Sequence, residues 1–367
     1  MRHRIRSWNT WLGPFAWGTL ASLALASLSP AWAQAPATSE TTLPAATEPI
    51  VQGAGSRYLG NLDFSNQAAL DAPTSQRFVP VIGLEMGVIA LYRSEPESQL
   101  LALDEDLDPL LDASQLQGDP GAGLDATLNF FNLFSDQHAV DIQLRYFQAG
   151  DLGTTTTLSS SLIRPIFFGG TAADPAETYD FVSTSLVRSF ESNLVVRTPY
   201  RLRFLAGFRH FELDEIYNVI DSEASSDTQI VGFFSIAENT MGGGQVGAEA
   251  TILGNRYSRI FGSFKWGLLN NDIVGSAQAS DPNSGDPLQS DAFDSATSQI
   301  LDFQLGGSLA LNRWLSFYGG YQGIMLSDVA IALEQSRSGT IVDTPAHPVF
   351  FQDAQLHGFK FTGMATW

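Results

Sequence analysis

The chain has 367 residues, 44% of them hydrophobic and only 16% charged, with 33 glycines, 25 phenylalanines and a formal charge of −20. An acidic chain repels phosphate backbones, which argues against nucleic acid as a partner. The absence of cysteine excludes disulfides, thiolate metal sites and lipid attachment through an N-terminal Cys.

At the N-terminus Arg2, Arg4 and Arg6 precede the apolar run FAWGTLASLALASL, Phe15 to Leu28, which leads to Pro30 and Ala31-Trp32-Ala33. This order predicts a secretory signal peptide over residues 1–33, cut after Ala33. The run is shorter than the roughly 20 residues a spanning helix needs. Its removal leaves 39 acidic against 16 basic residues, a formal charge of −23. Residues 34–77, rich in Ala, Pro, Thr and Ser, read as a disordered low-complexity periplasmic linker. An exported chain without apolar helices is either soluble or a closed barrel.

From residue 78 onward the pattern has period two. In IGLEMGVIALYR, Ile82, Leu84, Met86, Val88, Ala90 and Tyr92 share one parity, with Glu85 and Arg93 on the other. GLDATLNFF and HAVDIQLRY repeat it, with Asp125, Asp141 and Arg145 on the polar side. SFESNLVVR sets Phe190, Leu194 and Val196 against Glu191 and Arg197, and YRLRFLAGFRHF sets Phe204 and Phe208 against Arg203 and Arg209; Val195, Leu205 and Phe211 fall on the polar parity. GGGQVGAEATI carries Glu249, SRIFGSFKWGLL carries Lys265, and ILDFQLGGSLAL carries Asp302 on the polar side. LSFYGGYQGIM and FKFTGMATW complete the series, the last with Phe359, Phe361 and Trp367 opposite Lys360.

Ten strands joined by alternating short turns and long polar segments predict an all-β fold, an antiparallel up-and-down transmembrane barrel over residues 78–367 with both termini in the periplasm. Twelve strands is the alternative, with LLALDEDLDPLL or TQIVGFFSI adding a hairpin. A soluble antiparallel sandwich also alternates, but its polar face would favour Lys, Glu and Thr rather than the Gly, Ser, Asn and Gln found here.

Four stretches, GFRHFELDE (Gly207 to Glu215), GGGQVGAEATI, LNRWLSFYGGYQGIML and LYRSEPESQLL, resemble the planctomycete-type outer-membrane barrel family, which is related to a broader pore-forming outer-membrane family. The similarity runs from about residue 80 to the C-terminus. It implies a signal-bearing, pore-forming barrel with no established substrate and no catalytic residues to carry over.

The inward parity holds Glu85, Asp125, Asp141, Glu191, Glu249 and Asp302 against Arg93, Arg145, Arg197, Arg209, Lys265 and Lys360. These line a lumen and either select solutes in a charged constriction or neutralise one another as buried pairs. Ten strands lie nearer the eight whose interior side chains nearly fill than the sixteen of open channels, so a pore would be narrow. The functional expectation is an outer-membrane pore for small solutes or ions, without cofactor or catalysis. The alternative is a closed structural or interaction barrel whose acidic loops bind a partner or divalent cations.

Asp104, Asp106 and Asp108 begin like a calcium loop, but Pro109 replaces the turn glycine and Gln115 the bidentate Glu, so no metal site is assigned. His210, beside Glu212, Asp214 and Glu215, has no identifiable nucleophile and falls on the lipid side near the outer rim. The aromatic C-terminal strand, with Phe359, Phe361 and Trp367 facing lipid, has the form of a recognition signal for outer-membrane assembly machinery.

Overall fold

The computed structural model describes residues 81–367 apart from 95, 97, 117, 132–139, 168–170, 173–175, 199, 222–229, 256, 281–286, 313 and 336–348. The signal peptide, the linker and their boundaries lie outside the described residues.

The chain forms β1 (Val81–Arg93), β2 (Leu100–Leu103), β3 (Pro109–Asp112), β4 (Gly121–Phe131), β5 (Val140–Phe167), β6 (Thr171–Ala172) and β7 (Ala176–Arg197). It continues with β8 (Leu202–Asp221), β9 (Ile230–Gly254), β10 (Ser258–Ser280), β11 (Pro287–Ala310), β12 (Leu315–Ala330), a one-turn helix α1 (Ala332–Gln335) and β13 (Phe351–Thr366). All pairings are antiparallel, and ten strands close into a barrel in the order β1-β4-β5-β7-β8-β9-β10-β11-β12-β13. The seam is β1 on β13, from Gly83 opposite Thr366 to Arg93 opposite Leu356. Among the described residues no helix is long and apolar enough to cross a membrane.

Every strand of the barrel occupies a segment with alternating pattern, and the expected parity holds. Val88, Leu194, Phe204, Val246, Phe264, Leu305, Phe359 and Phe361 are all exposed on the outer face. Water would penalise such a belt and lipid would not. The tight turns at one end use the same device twice: Asn255 Oδ1 accepts from the amides of Tyr257 and Ser258, and Asn312 Oδ1 from those of Trp314 and Leu315. An Asx turn of this kind satisfies amides that the ladder leaves over.

The strands run further than the alternation suggests. β5, β7, β9, β10 and β11 have 28, 22, 25, 23 and 24 residues, whereas about 9–11 cross a bilayer. Segments read as long polar loops are largely the outer halves of these strands; the described ends of the acidic stretch at 280–291 lie within β10 and β11. Beyond the belt the pattern inverts. On β7 the outer face changes from Phe190 and Leu194 to Thr184 and Asp180, while Val187, Phe181 and Tyr179 turn inward and are buried. β8 does the same with Phe211, Leu213, Tyr217 and Val219, and β10 with Leu269, Ile273 and Ala277. The half of the barrel in the belt therefore has an apolar outside and polar inside, and the half beyond it has a soluble protein's apolar core.

Twelve strands do not form. TQIVGFFSI contributes the outer half of β9 from Ile230, and LLALDEDLDPLL folds into the β2–β3 hairpin, which pairs with β5 through Ala102 opposite Pro165 without crossing the belt. In its turn Asp104 Oδ1 accepts from the amides of Asp106 and Asp108 at 2.9 and 2.8 Å, and Leu107 adopts a φ of 68°. The Asp104 carboxylate is thus engaged by its own backbone, and among the described residues no three acidic or His side chains gather in a metal-holding group.

Candidate functional site

The interior is built in layers because inward residues of neighbouring strands stand in register. Nearest the tight turns, Arg197 binds Asp141 at 2.9 Å, and Glu249 faces Arg203 at 3.2 Å and Arg259 at 3.9 Å. Arg259 Nε also donates to Ser308 Oγ at 3.1 Å.

The next layer is fully enclosed. Glu191 meets Lys265 Nζ at 2.7 Å, Arg145 Nη1 at 3.3 Å and Arg209 Nη1 at 3.9 Å, and it accepts from the amides of Asn193 and Gln245. Asp125 takes Arg145 at 2.6 Å and Lys360 at 3.4 Å. Asp302 takes Arg209 at 3.0 Å and a Gln322 amide at 3.1 Å. Four cations thus share three carboxylates, with Glu85 one strand away accepting from Asn129 at 3.2 Å. Buried charges survive only when paired and hydrogen-bonded to this degree.

Eleven of the twelve charged candidates fall in these two layers. The twelfth, Arg93, stands beyond the belt and pairs with Glu215 at 3.1 Å. Arg203 and Arg259 complete the layer at the turn end; their parity with Arg209 and Lys265 was a sufficient signal for both. Gln322, Asn193 and Gln245 carry no charge and are silent to a search for charged residues.

Between the two charged layers lies a cavity of about 90 Å³ whose lining includes Glu85, Arg145, Arg203, Glu249, Lys265 and Lys360. It is polar and large enough for water. On its far side the charged layer meets a sheet of apolar side chains. Phe147, Phe211, Met241, Leu269, Ile300 and Ile324 are all buried. The guanidinium groups of Arg145 and Arg209 lie over the rings of Phe147 and Phe211 at 5.0 and 5.3 Å, a contact that offsets part of the cost of burying them.

Beyond the apolar layer a segment of chain fills the lumen. β12 bulges between Leu326 and Val329, Asp328 takes a φ of 55°, Val329 and Ala330 still pair with Gln352 and Phe351 of β13, and residues 331–335 follow them, all of 329–335 being buried. Wall side chains grip its backbone: Asn239 accepts from the Ala330 amide at 2.8 Å and donates to the Ala330 carbonyl at 2.7 Å. Asn271 and Ser298 donate to the Asp328 carbonyl, and Glu215 accepts from the Ala332 amide. Three strands that do not adjoin this segment in the sheet, β8, β9 and β10, thus hold it as a plug.

His210 lies on the outer face at the upper edge of the belt, 3.1 Å from Glu212, which binds Arg188 of β7 at 2.9 Å. That cluster belongs to the membrane boundary and not to the lumen.

No known family model matches this chain, and no curated protein is similar to it. Among solved structures, the Pseudomonas putida toluene transporter TodX aligns over 85% of this chain and 96% of its own, with 11% identity and a TM-score of 0.31. The Ralstonia pickettii toluene transporter TbuX aligns over 81% and 93%, with 11% identity and a TM-score of 0.31. The monoaromatic hydrocarbon channel CymD aligns over 80% and 89%, with 8% identity and a TM-score of 0.26.

Proposed function

We propose that this chain is an outer-membrane β-barrel of the planctomycete type, exported by a cleaved signal peptide, that acts as a narrow pore for small solutes or ions and is shut in the conformation described. The observation that carries this reading is the charge-lined cavity of about 90 Å³ inside the belt, closed off by the enclosed charged layer and by the apolar layer behind it. A barrel needed only as an anchor gains nothing from water and paired charges at that depth, whereas a dewetted apolar ring in series with a charged vestibule is how a pore is held closed. The plug above it is a second barrier, held largely through side-chain contacts to its backbone. The reading gives the chain no catalytic role and no cofactor.

The length of the strands beyond the belt favours a second reading, a closed barrel whose outer half, with its own apolar core and acidic rim, meets a partner or divalent cations. Planar-bilayer recording separates the two, because only the pore reading allows variants of the barriers to conduct.

The C-terminal strand supports the assignment to the outer membrane. Trp367 exchanges two backbone hydrogen bonds with Ile82, at 3.0 and 3.1 Å, and so completes the seam, while Phe359, Phe361 and Trp367 are exposed on the outer face. Deleting Trp367 is expected to lower the heat-modifiable, membrane-inserted fraction severalfold and to leave the electrical behaviour of the assembled remainder unchanged. Normal insertion of the shortened chain would remove the terminal residue from the assembly signal.

A further inference from the structure

β1 and β4, of 13 and 11 residues, end at the top of the belt, while β13 on one side and β5 on the other continue beyond it. The wall is therefore interrupted there. The last link between β1 and β13 is the Ser94 amide donating to the Gln355 carbonyl at 2.9 Å. Above it, among the described residues, no strand pairs with Phe351–Ala354 on that side. The β2–β3 hairpin closes the gap from the β5 side, and a cleft of about 570 Å³ remains against β13, within the roughly 300–1,000 Å³ usual for small-molecule sites.

The cleft has an aromatic floor and polar walls. Tyr92 and His357 are stacked, with ring centroids 5.8 Å apart and an interplanar angle of 16°, and Tyr321 is tilted against His357 at 6.0 Å. Asp353 and Gln355 share the outward face of β13 with His357 and are exposed, while Gln352, on the inward parity, lines the cleft from behind. Gln352 Oε1 has no hydrogen-bond partner among the described residues. The row sits where the outward residues of β13 change from Phe361 and Phe359 to His357, Gln355 and Asp353, the depth of lipid headgroups in a barrel of this kind.

These features exclude two ligand classes. A phosphate would find one cation, Arg93, already held by Glu215 at 3.1 Å, and the Asp353 carboxylate would repel it. A hydrocarbon would have to desolvate the exposed Gln355 amide and Asp353 carboxylate. A sugar ring fits both halves: its C–H face packs on flat rings, and its hydroxyls pair with the amide and carboxylate groups above.

We infer that the cleft between β13 and the end of β1 is a saccharide-binding site, reading either a glycolipid head or a soluble oligosaccharide. The site does not depend on whether the lumen conducts.

The full chain, refolded in detergent, is titrated with the oligosaccharide released from lipopolysaccharide by mild acid and followed by saturation-transfer NMR and calorimetry. In parallel, phospholipid vesicles with and without intact lipopolysaccharide are tested for retention of that glycolipid by the solubilised barrel. His357→Ala and the pair Asp353→Ala with Gln355→Ala are compared with wild type after heat-modifiability shows them folded. Binding of the free oligosaccharide, weakened at least tenfold in the variants, supports the site with soluble sugar as ligand. Retention from lipopolysaccharide vesicles alone, weakened likewise, supports it with a glycolipid head. Equal binding by wild type and variants, or none in either arm, overturns it.

Discussion

The double variant Asn239→Leu with Leu269→Ser is expected to conduct in planar bilayers at least tenfold more current than wild type, while each single variant stays close to wild type. The two changes act on barriers in series. Leu269 is a fully buried member of the apolar layer, and a hydroxyl there lets water bridge the charged cavity and the space above. Asn239 makes both backbone hydrogen bonds to Ala330; leucine leaves the plug's amide and carbonyl without them, at about 1–3 kcal/mol each. Opening one barrier leaves the other rate-limiting, so the gain belongs to the combination. The core change costs about 2–5 kcal/mol, so the folded fraction is measured on the same samples by heat-modifiable migration. An intact double variant that passes no current would favour the closed-barrel reading.

Glu191→Gln should destabilise the barrel by about 3–5 kcal/mol, the cost of removing one partner from a buried ionic group, read as a fall in the urea midpoint in lipid vesicles. Glu191 is fully buried and faces Lys265, Arg145 and Arg209. Its neutralisation leaves Arg145, Arg209, Lys265 and Lys360 with Asp125 and Asp302 in contact and Glu85 one strand away. Adding Lys265→Met removes the cation closest to the lost charge and should restore about 1–3 kcal/mol, the size expected of coupled neighbours. Glu212→Gln is the control: its pair with Arg188 is about one-third exposed (36% and 28%), so its loss should cost no more than about 1 kcal/mol. Equal effects of the two substitutions would mean that water reaches the Glu191 layer in the folded barrel.

Which residues face in and which face out was legible from the chain, because side-chain direction in a strand is a local property with period two. Glu85, Asp125, Arg145, Glu191, Arg209, Lys265, Asp302 and Lys360 all lie on the predicted side, and Phe359, Phe361 and Trp367 on the other. The exceptions were informative as well. Val195 and Phe211, which break the alternation, are inward apolar residues, and Phe211 marks the height at which the pattern inverts.

Strand length could not be read in the same way. A strand whose outer half is apolar-in and polar-out directly continues one that is polar-in and apolar-out, and a linear reading takes the change of parity for the end of the strand. The solvent outside each residue sets the pattern, and that solvent changes from lipid to water partway along. The hairpin at LLALDEDLDPLL was legible as a hairpin but not as one that stays outside the belt, and the wall gap beside β13 has no signature in one strand, since it arises from the unequal lengths of neighbours.

The class of fold, the ten strands, the sidedness of the twelve charged candidates and the aromatic end of the closing strand were readable along the chain, because each follows from near-neighbour spacing. Folding in three dimensions sets which charges share a carboxylate, that an apolar layer lies above them, and that the end of β12 at Ala330 meets Asn239. Those contacts join residues up to 235 positions apart, as between Asp125 and Lys360, and depend on barrel closure and strand stagger, which no local pattern encodes.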